Sequence, residues 1–368
     1  MHLDPLSLFT SALAVAGLAT AAPVGVPTDD GFPNPNAQQL LNIERIASGK
    51  LSNAPPPDKL EPSTLVAFQL IAYNEQVETA LFKSLINNIT TNVPGFELDN
   101  KAKKEELLDT LKIIQAQEEL HALTARGILQ HFGAFVPEPC QYAFPTTDIR
   151  DAFALIQTVT SFVMGTLQDA EQLMAKNGDD GPVRSIASVI GQEGEQNGYF
   201  RTLLGRVPSE KPFMTTSLAA YAWSALQGFT VPGSCPFPLS NIALPIFKPL
   251  SVLGGDVGAH DQLLTFSADF TDAAKYIGGD GSGLFVTYLT GQQLPISEPV
   301  QNVRWNGKQA TFEAFFPYTE NIMDGLTVAG LTTASNFAGP DDVPAATVAA
   351  PALIQVNRKV SAWDGNDI

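Results

Sequence analysis

The sequence predicts a two-domain α+β protein, an antiparallel four-helix bundle followed by a small antiparallel β-sandwich. Three observations predict it. Between residues 61 and 205, four long segments carry helical periodicity and are separated by turn signals. Beyond residue 256 the apolar period drops to two. Helices and strands are segregated along the chain rather than alternating, which places the strands in a sheet domain of their own.

The elements follow in order. Residues 1–21 read as a signal peptide: LSLFTSALAVAGL is a short apolar run followed by Ala19-Thr20-Ala21, although no Lys or Arg precedes it. Residues 22–60 contain VGVPTDDGFPNPN and SNAPPPDK and read as a flexible arm, with a short helix at NAQQLLNIERIAS. The first long helix is expected over residues 62–88, opening on Pro62, whose missing N–H costs nothing in a first turn. The second is expected over 101–132, stopped by Gly133, the third over 148–176, ending at NGDDGP, and the fourth over 182–205. Long helices joined by short connections pack as an antiparallel bundle. Residues 206–255 are Pro-rich and read as a linker, with one short helix at SLAAYAWSALQGF. Residues 256–358 hold the strand-like runs LLTFSADF, GLFVTYLT, VRWNGKQATFEAFF, GLTVAGLTT and PALIQV, and Asn306-Gly307 signals a two-residue hairpin. Residues 359–368 form a polar tail without the hydrophobic stretch of a lipid-anchor signal.

Composition narrows the function classes. With 38 acidic and 21 basic residues the net charge is −17, which argues against nucleic acid or anionic lipid as partner. No run after the leader is long enough to span a membrane. In a secreted chain two cysteines allow one connectivity, so Cys140 and Cys235, both in Pro-rich connections, are expected to pair. Asn88-Ile89-Thr90 is an N-glycosylation sequon, with Asn88 the acceptor. No P-loop, dinucleotide fingerprint or G-x-S-x-G elbow is present.

The chemistry-bearing residues interrupt apolar stripes. In the second helix the stripe runs Leu107, Leu111, Ile114, then Glu118 and His121, then Ala125 and Ile128. In the fourth it runs Ile186, Val189, then Glu193 and Gln196, then Phe200 and Leu203. In the first, Leu65, Phe68 and Ala72 lead to Glu75, with Glu78 one turn on. Carboxylates facing a core are expensive unless paired, protonated or bound to metal, so acids at similar depth on three helices need a shared reason.

The strings IAYNEQVETALF (71–82), AQEELHALTARGIL (116–129) and VIGQEGEQNGYFR (189–201) carry a resemblance. The helical region resembles the ferritin-like superfamily, and more closely a family of secreted fungal ferritin-like proteins associated with stress response and late sexual development. The superfamily pattern takes one Glu from each of two helices and a Glu-x-x-His from each of the other two. Carried over, it assigns Glu75 (Glu78 the alternative), Glu118, His121 and Glu193 as metal ligands. Gln196 stands where the second His is expected and is an additional candidate. The third helix offers no carboxylate near its middle, where Thr160 and Met164 sit: Gln157 is the nearest polar candidate for a ligand, and Glu171 is about 10 to 16 Å away along the axis.

Three readings stay open for this set: a metal-free cluster sharing protons, a site for one iron or manganese ion, and a dinuclear centre. The missing ligands favour a non-catalytic, secreted or cell-wall-associated scaffold with a degenerate metal site. Its β-domain would then serve as an interaction module for an extracellular protein or glycan. The alternative is an iron- or manganese-dependent oxidoreductase acting on oxygen or peroxide. The sequence leaves the oligomeric state open.

Overall fold

The computed structural model describes residues 22–271 and 274–359, so the expected signal peptide and nearly all of the expected tail lie outside the described residues. The bundle is made of α2 (Pro62–Thr90), α3 (Lys101–His131), α4 (Ile149–Asn177) and α5 (Val183–Leu203), within a residue or two of the expected bounds. Local chemistry sets the ends. The Asn100 side chain accepts from Lys103 N at the start of α3, and that of Asp148 accepts from Asp151 N at the start of α4. Gly178 closes α4 with φ 73°, a conformation that suits glycine.

α2 packs against α3, and α4 against α5. α2 and α4 are buried on nearly all sides, because further elements cover their outer faces. Residues 22–60, expected as a flexible arm, instead lie in part against the bundle: Lys83 Nζ of α2 donates to Val26 O at 2.9 Å, and the helix that follows packs on α3. This segment includes α1 (Ala37–Ile46), buries Val26, Phe32 and Ile43, and is tied down where Arg126 Nη2 donates to Asn34 Oδ1 at 3.3 Å. Its few apolar side chains find sites on the bundle despite the Pro- and Asn-rich composition. One element that packs on both α2 and α4 is α6 (Ala219–Gln227), the short helix expected within the linker. The expected Cys140–Cys235 disulfide is formed and joins the connections that follow α3 and α6.

The C-terminal part is two antiparallel four-stranded sheets, ordered β1-β2-β6-β5 and β4-β3-β7-β8. The strands are β1 (Leu250–Leu253), β2 (Gln262–Asp269), β3 (Phe285–Thr290), β4 (Ile296–Pro299), β5 (Gln301–Asn306), β6 (Gln309–Phe316), β7 (Gly325–Thr332) and β8 (Thr347–Val356). β1 begins inside the segment expected to be linker. Both β1 and β4 have four residues, too few to display a period of two. The β5–β6 turn is Gly307-Lys308, one residue later than the Asn306-Gly307 pair, since Asn306 still pairs with Gln309. Gly307 supplies the positive φ of 62° that this turn needs. Phe266 and Phe312 stack at 5.9 Å in the sandwich core, beside Tyr288, Phe316 and Ile354.

The two parts share a core. Leu289, Leu326, Val328 and Ala350 turn to the outer face of the second sheet and pack into the helical core. This is why every residue of β7 is buried. Glu210, in the connection after α5, fastens the junction. Its Oε1 accepts from Leu326 N at 2.5 Å, and its Oε2 accepts from Ser161 Oγ at 2.8 Å and Asn197 Nδ2 at 3.2 Å. Arg201 Nη1 lies 3.5 Å from the same oxygen, and both side chains are sealed from solvent.

Candidate metal centre

α2, α3 and α5 bring four side chains together: Glu75, Glu118, His121 and Glu193 each place a ligand-type atom within 4.8 Å of the others. The Glu118–His121 step of three residues puts both side chains on one face of α3, with His121 Nδ1 3.0 Å from Glu118 Oε2. His121 Nδ1 lies 3.7 Å from Glu75 Oε2, too long for a hydrogen bond. Glu75 and Glu193 are fully buried, and none of their four carboxyl oxygens has a hydrogen-bond partner. Buried carboxylates without partners are costly.

Electrostatics reflects that cost. Burial pushes Glu75 up to about 7, with His121 pulling it back. Burial holds Glu78 and Glu193 well above the usual carboxylate range, and the neighbouring carboxylates add to it. Burial pulls His121 down, but Glu118 and then Glu75 outweigh it and raise the imidazole well above its ordinary value. The cluster is a concentration of acids with one imidazole, an environment that favours added positive charge.

The remaining expected residues divide. Glu78 sits beside the group but outside the four, with its Oε2 taken by Asn74 Nδ2 at 2.7 Å. Gln196 turns its amide nitrogen, not its oxygen, to Glu118 Oε1 at 2.5 Å and also donates to Gln192 Oε1 at 3.1 Å. It orients Glu118 rather than adding a donor atom. Gln192 in turn donates to Gln117 Oε1 at 2.9 Å, a relay that the stripe pattern did not reveal because both residues lie off the stripe. Gln157 is turned away from the cluster: its Oε1 accepts from Arg206 Nη1 at 2.5 Å, and its Nε2 donates to Ser161 Oγ at 3.0 Å. Among the described residues Glu171 is not part of the group. Asn88 is half-buried in the last turn of α2.

His121 borders two spaces. On the inner side it lines a cavity of about 20 Å³ with Glu75, Phe68 and Ile186. On the outer side it lines an open groove between the 47–54 segment and α3 and α5, alongside Gln117, Thr124 and Gln192. Its side chain is 14% exposed, and with Thr124, Ser185 and Val189 it lines both the groove and the inner cavity.

Residues 59–206 match the family model of the ferritin-like domain. The match covers α2 to α5 and every member of the cluster, so the helical part of the chain is a ferritin-like domain. Comparison with curated proteins gives no match. Among the described residues no helix is long and apolar enough to cross a membrane.

Proposed function

We propose that the ferritin-like domain holds a single iron or manganese ion between Glu75, Glu118, His121 and Glu193. The observation that carries this reading is the pair of buried carboxylates, Glu75 and Glu193, whose oxygens lack any partner while pointing into a group that contains an imidazole. The donor set of carboxylate oxygens and imidazole nitrogen suits iron or manganese. Bound there, such an ion supplies one-electron chemistry toward oxygen species. The protein's own contribution is positional: Gln196 fixes Glu118, Glu118 fixes the His121 ring, and burial keeps bulk water from the acids. With no carboxylate from α4 in the group, a second ion lacks its ligands.

In this reading the protein is a secreted or cell-wall-associated, ferritin-like component of fungal stress response or sexual development, with a metal site reduced from the dinuclear pattern. The leader-like N-terminus, the three helix strings and the disulfide, a bond typical of oxidising compartments, support it. An extracellular protein or glycan partner for the sandwich belongs to the same reading. A second reading, an oxidoreductase acting on oxygen or peroxide, is favoured by His121, a member of the cluster that also lines the open groove and is 14% exposed.

Elemental analysis of the purified protein, before and after reconstitution with Fe(II) or Mn(II), tests the proposal. About one metal per chain, lost in Glu193→Gln and in His121→Ala, supports it. Metal-free protein whose Tm responds neither to chelator nor to added Mn(II) rejects it. Peroxide consumption by the reconstituted protein separates the second reading from the first.

A further inference from the structure

A second cavity, of about 120 Å³, lies at the junction of the two domains, and none of the cluster's four residues lines it. Two sequence periods build it. α4 contributes Ala154, Leu155, Val159 and Phe162 from one face, at helical spacing. Pro351, Leu353, Gln355 and Asn357 follow at alternate positions along β8 and just beyond it. Leu226 of α6 and Val252 of β1 close the walls.

The cavity is apolar on most sides and polar at one set of groups. The Gln355 side chain has both its Nε2 and its Oε1 buried without a hydrogen-bond partner, and Asn357 Oδ1 is in the same condition. Asn74, also on the wall, is already committed to Glu78. A free amide on an otherwise apolar wall is an unmet demand for one donor and one acceptor. The charged groups on the lining are Asp151, Asp256 and Arg206, and Arg206 is already engaged by Gln157. Two acids against one occupied cation disfavour an anionic guest. The volume is close to that of a cavity of about 150 Å³ known to take benzene.

We infer that this junction cavity binds a small neutral molecule with a compact apolar body and one hydroxyl, the hydroxyl being recognised by Gln355 and Asn357. A phenol-like ring matches the volume. Its O–H donates to Gln355 Oε1 or Asn357 Oδ1, and its oxygen accepts from Gln355 Nε2. The residues assigned to the hydroxyl, Gln355 and Asn357, are not among the cluster's four, and the proposal stands whether or not a metal binds there.

Calorimetric titration and thermal denaturation of the full chain with phenol and with toluene test this. The two probes share a shape and differ in the hydroxyl. Phenol is expected to bind at one site per chain and raise Tm, with toluene weaker by about tenfold, the worth of a hydrogen bond to a buried group. Ala154→Leu fills the cavity and abolishes phenol binding. Gln355→Leu removes no existing side-chain hydrogen bond, so it keeps or raises Tm while phenol loses its advantage over toluene. The inference is overturned by absence of phenol binding at tens of millimolar, by unchanged binding in Ala154→Leu, or by an unchanged preference for phenol in Gln355→Leu.

Discussion

Glu75 Oε2 on α2 stands 3.7 Å from His121 Nδ1 on α3, and neither Glu75 oxygen takes a hydrogen bond. Each lies on the stripe that its own helix turns to the core. A neutral isostere therefore has opposite effects on stability and on metal binding. Glu75→Gln relieves the burial of an unpartnered acid and should leave the Tm of metal-free protein unchanged or higher. The same change should weaken Mn(II) binding by more than the roughly 10–100-fold typical of an outer-shell change. Paired thermal and calorimetric titrations check both signs. A Tm loss with unchanged metal affinity would assign Glu75 a structural role only.

Gln196 acts through Glu118, so its loss should be milder. Gln196→Leu removes the hydrogen bond to Glu118 Oε1 and should cut metal affinity by roughly 10–100-fold. Retained helical circular dichroism would show that the fold persists. Unaltered affinity would mean that Glu118 needs no orientation.

Much of this was readable from residue order. The four helices announce themselves by period, and Glu75, Glu118, His121 and Glu193 stand out as polar interruptions of apolar stripes. The role of Gln196 was hidden because spacing cannot say whether an amide presents its oxygen or its nitrogen. Glu210 was hidden because it sits in an aperiodic, Pro-rich connection, and its partners Ser161, Asn197 and Leu326 are far off in sequence. The junction cavity was hidden for the same reason: it is assembled from α4, α6, β1 and β8, none of which carries a signal of the others.

Glu210 should matter more for stability than any exposed ion pair. Glu210→Ala strands buried Arg201 and the Leu326 N–H together, and truncating one partner of a buried pair costs roughly 3–5 kcal/mol. Urea denaturation measures it. A cost within about 0.5 kcal/mol, as at an ordinary surface site, would contradict the junction described above.

The bond between Cys140 and Cys235 closes a loop with a sequence separation of 95. Cys140→Ser with Cys235→Ser should lower stability by about 4–5 kcal/mol through the greater freedom of the unfolded chain. Denaturation of the double variant against the oxidised protein checks it.

Asp169 gives a pH test remote from the cluster. It accepts from Ala219 N at 2.9 Å, at the first residue of α6, yet burial outweighs that bond and raises its carboxyl to about 6. A carboxyl whose folded value lies above its unfolded value contributes stability in acid, and that contribution is lost as pH rises through about 6. From pH 4 to 7 the loss should be on the order of 2–3 kcal/mol. Asp169→Asn keeps an acceptor for Ala219 and should flatten this part of the profile, which stability curves at several pH values would reveal.

The most direct measurement of the central claim is anomalous X-ray diffraction from crystals of the protein soaked in Mn(II). One anomalous peak per chain is expected, enclosed by Glu75, Glu118, His121 and Glu193. A blank map there, with those carboxylates hydrogen-bonded to one another or to water, would contradict it.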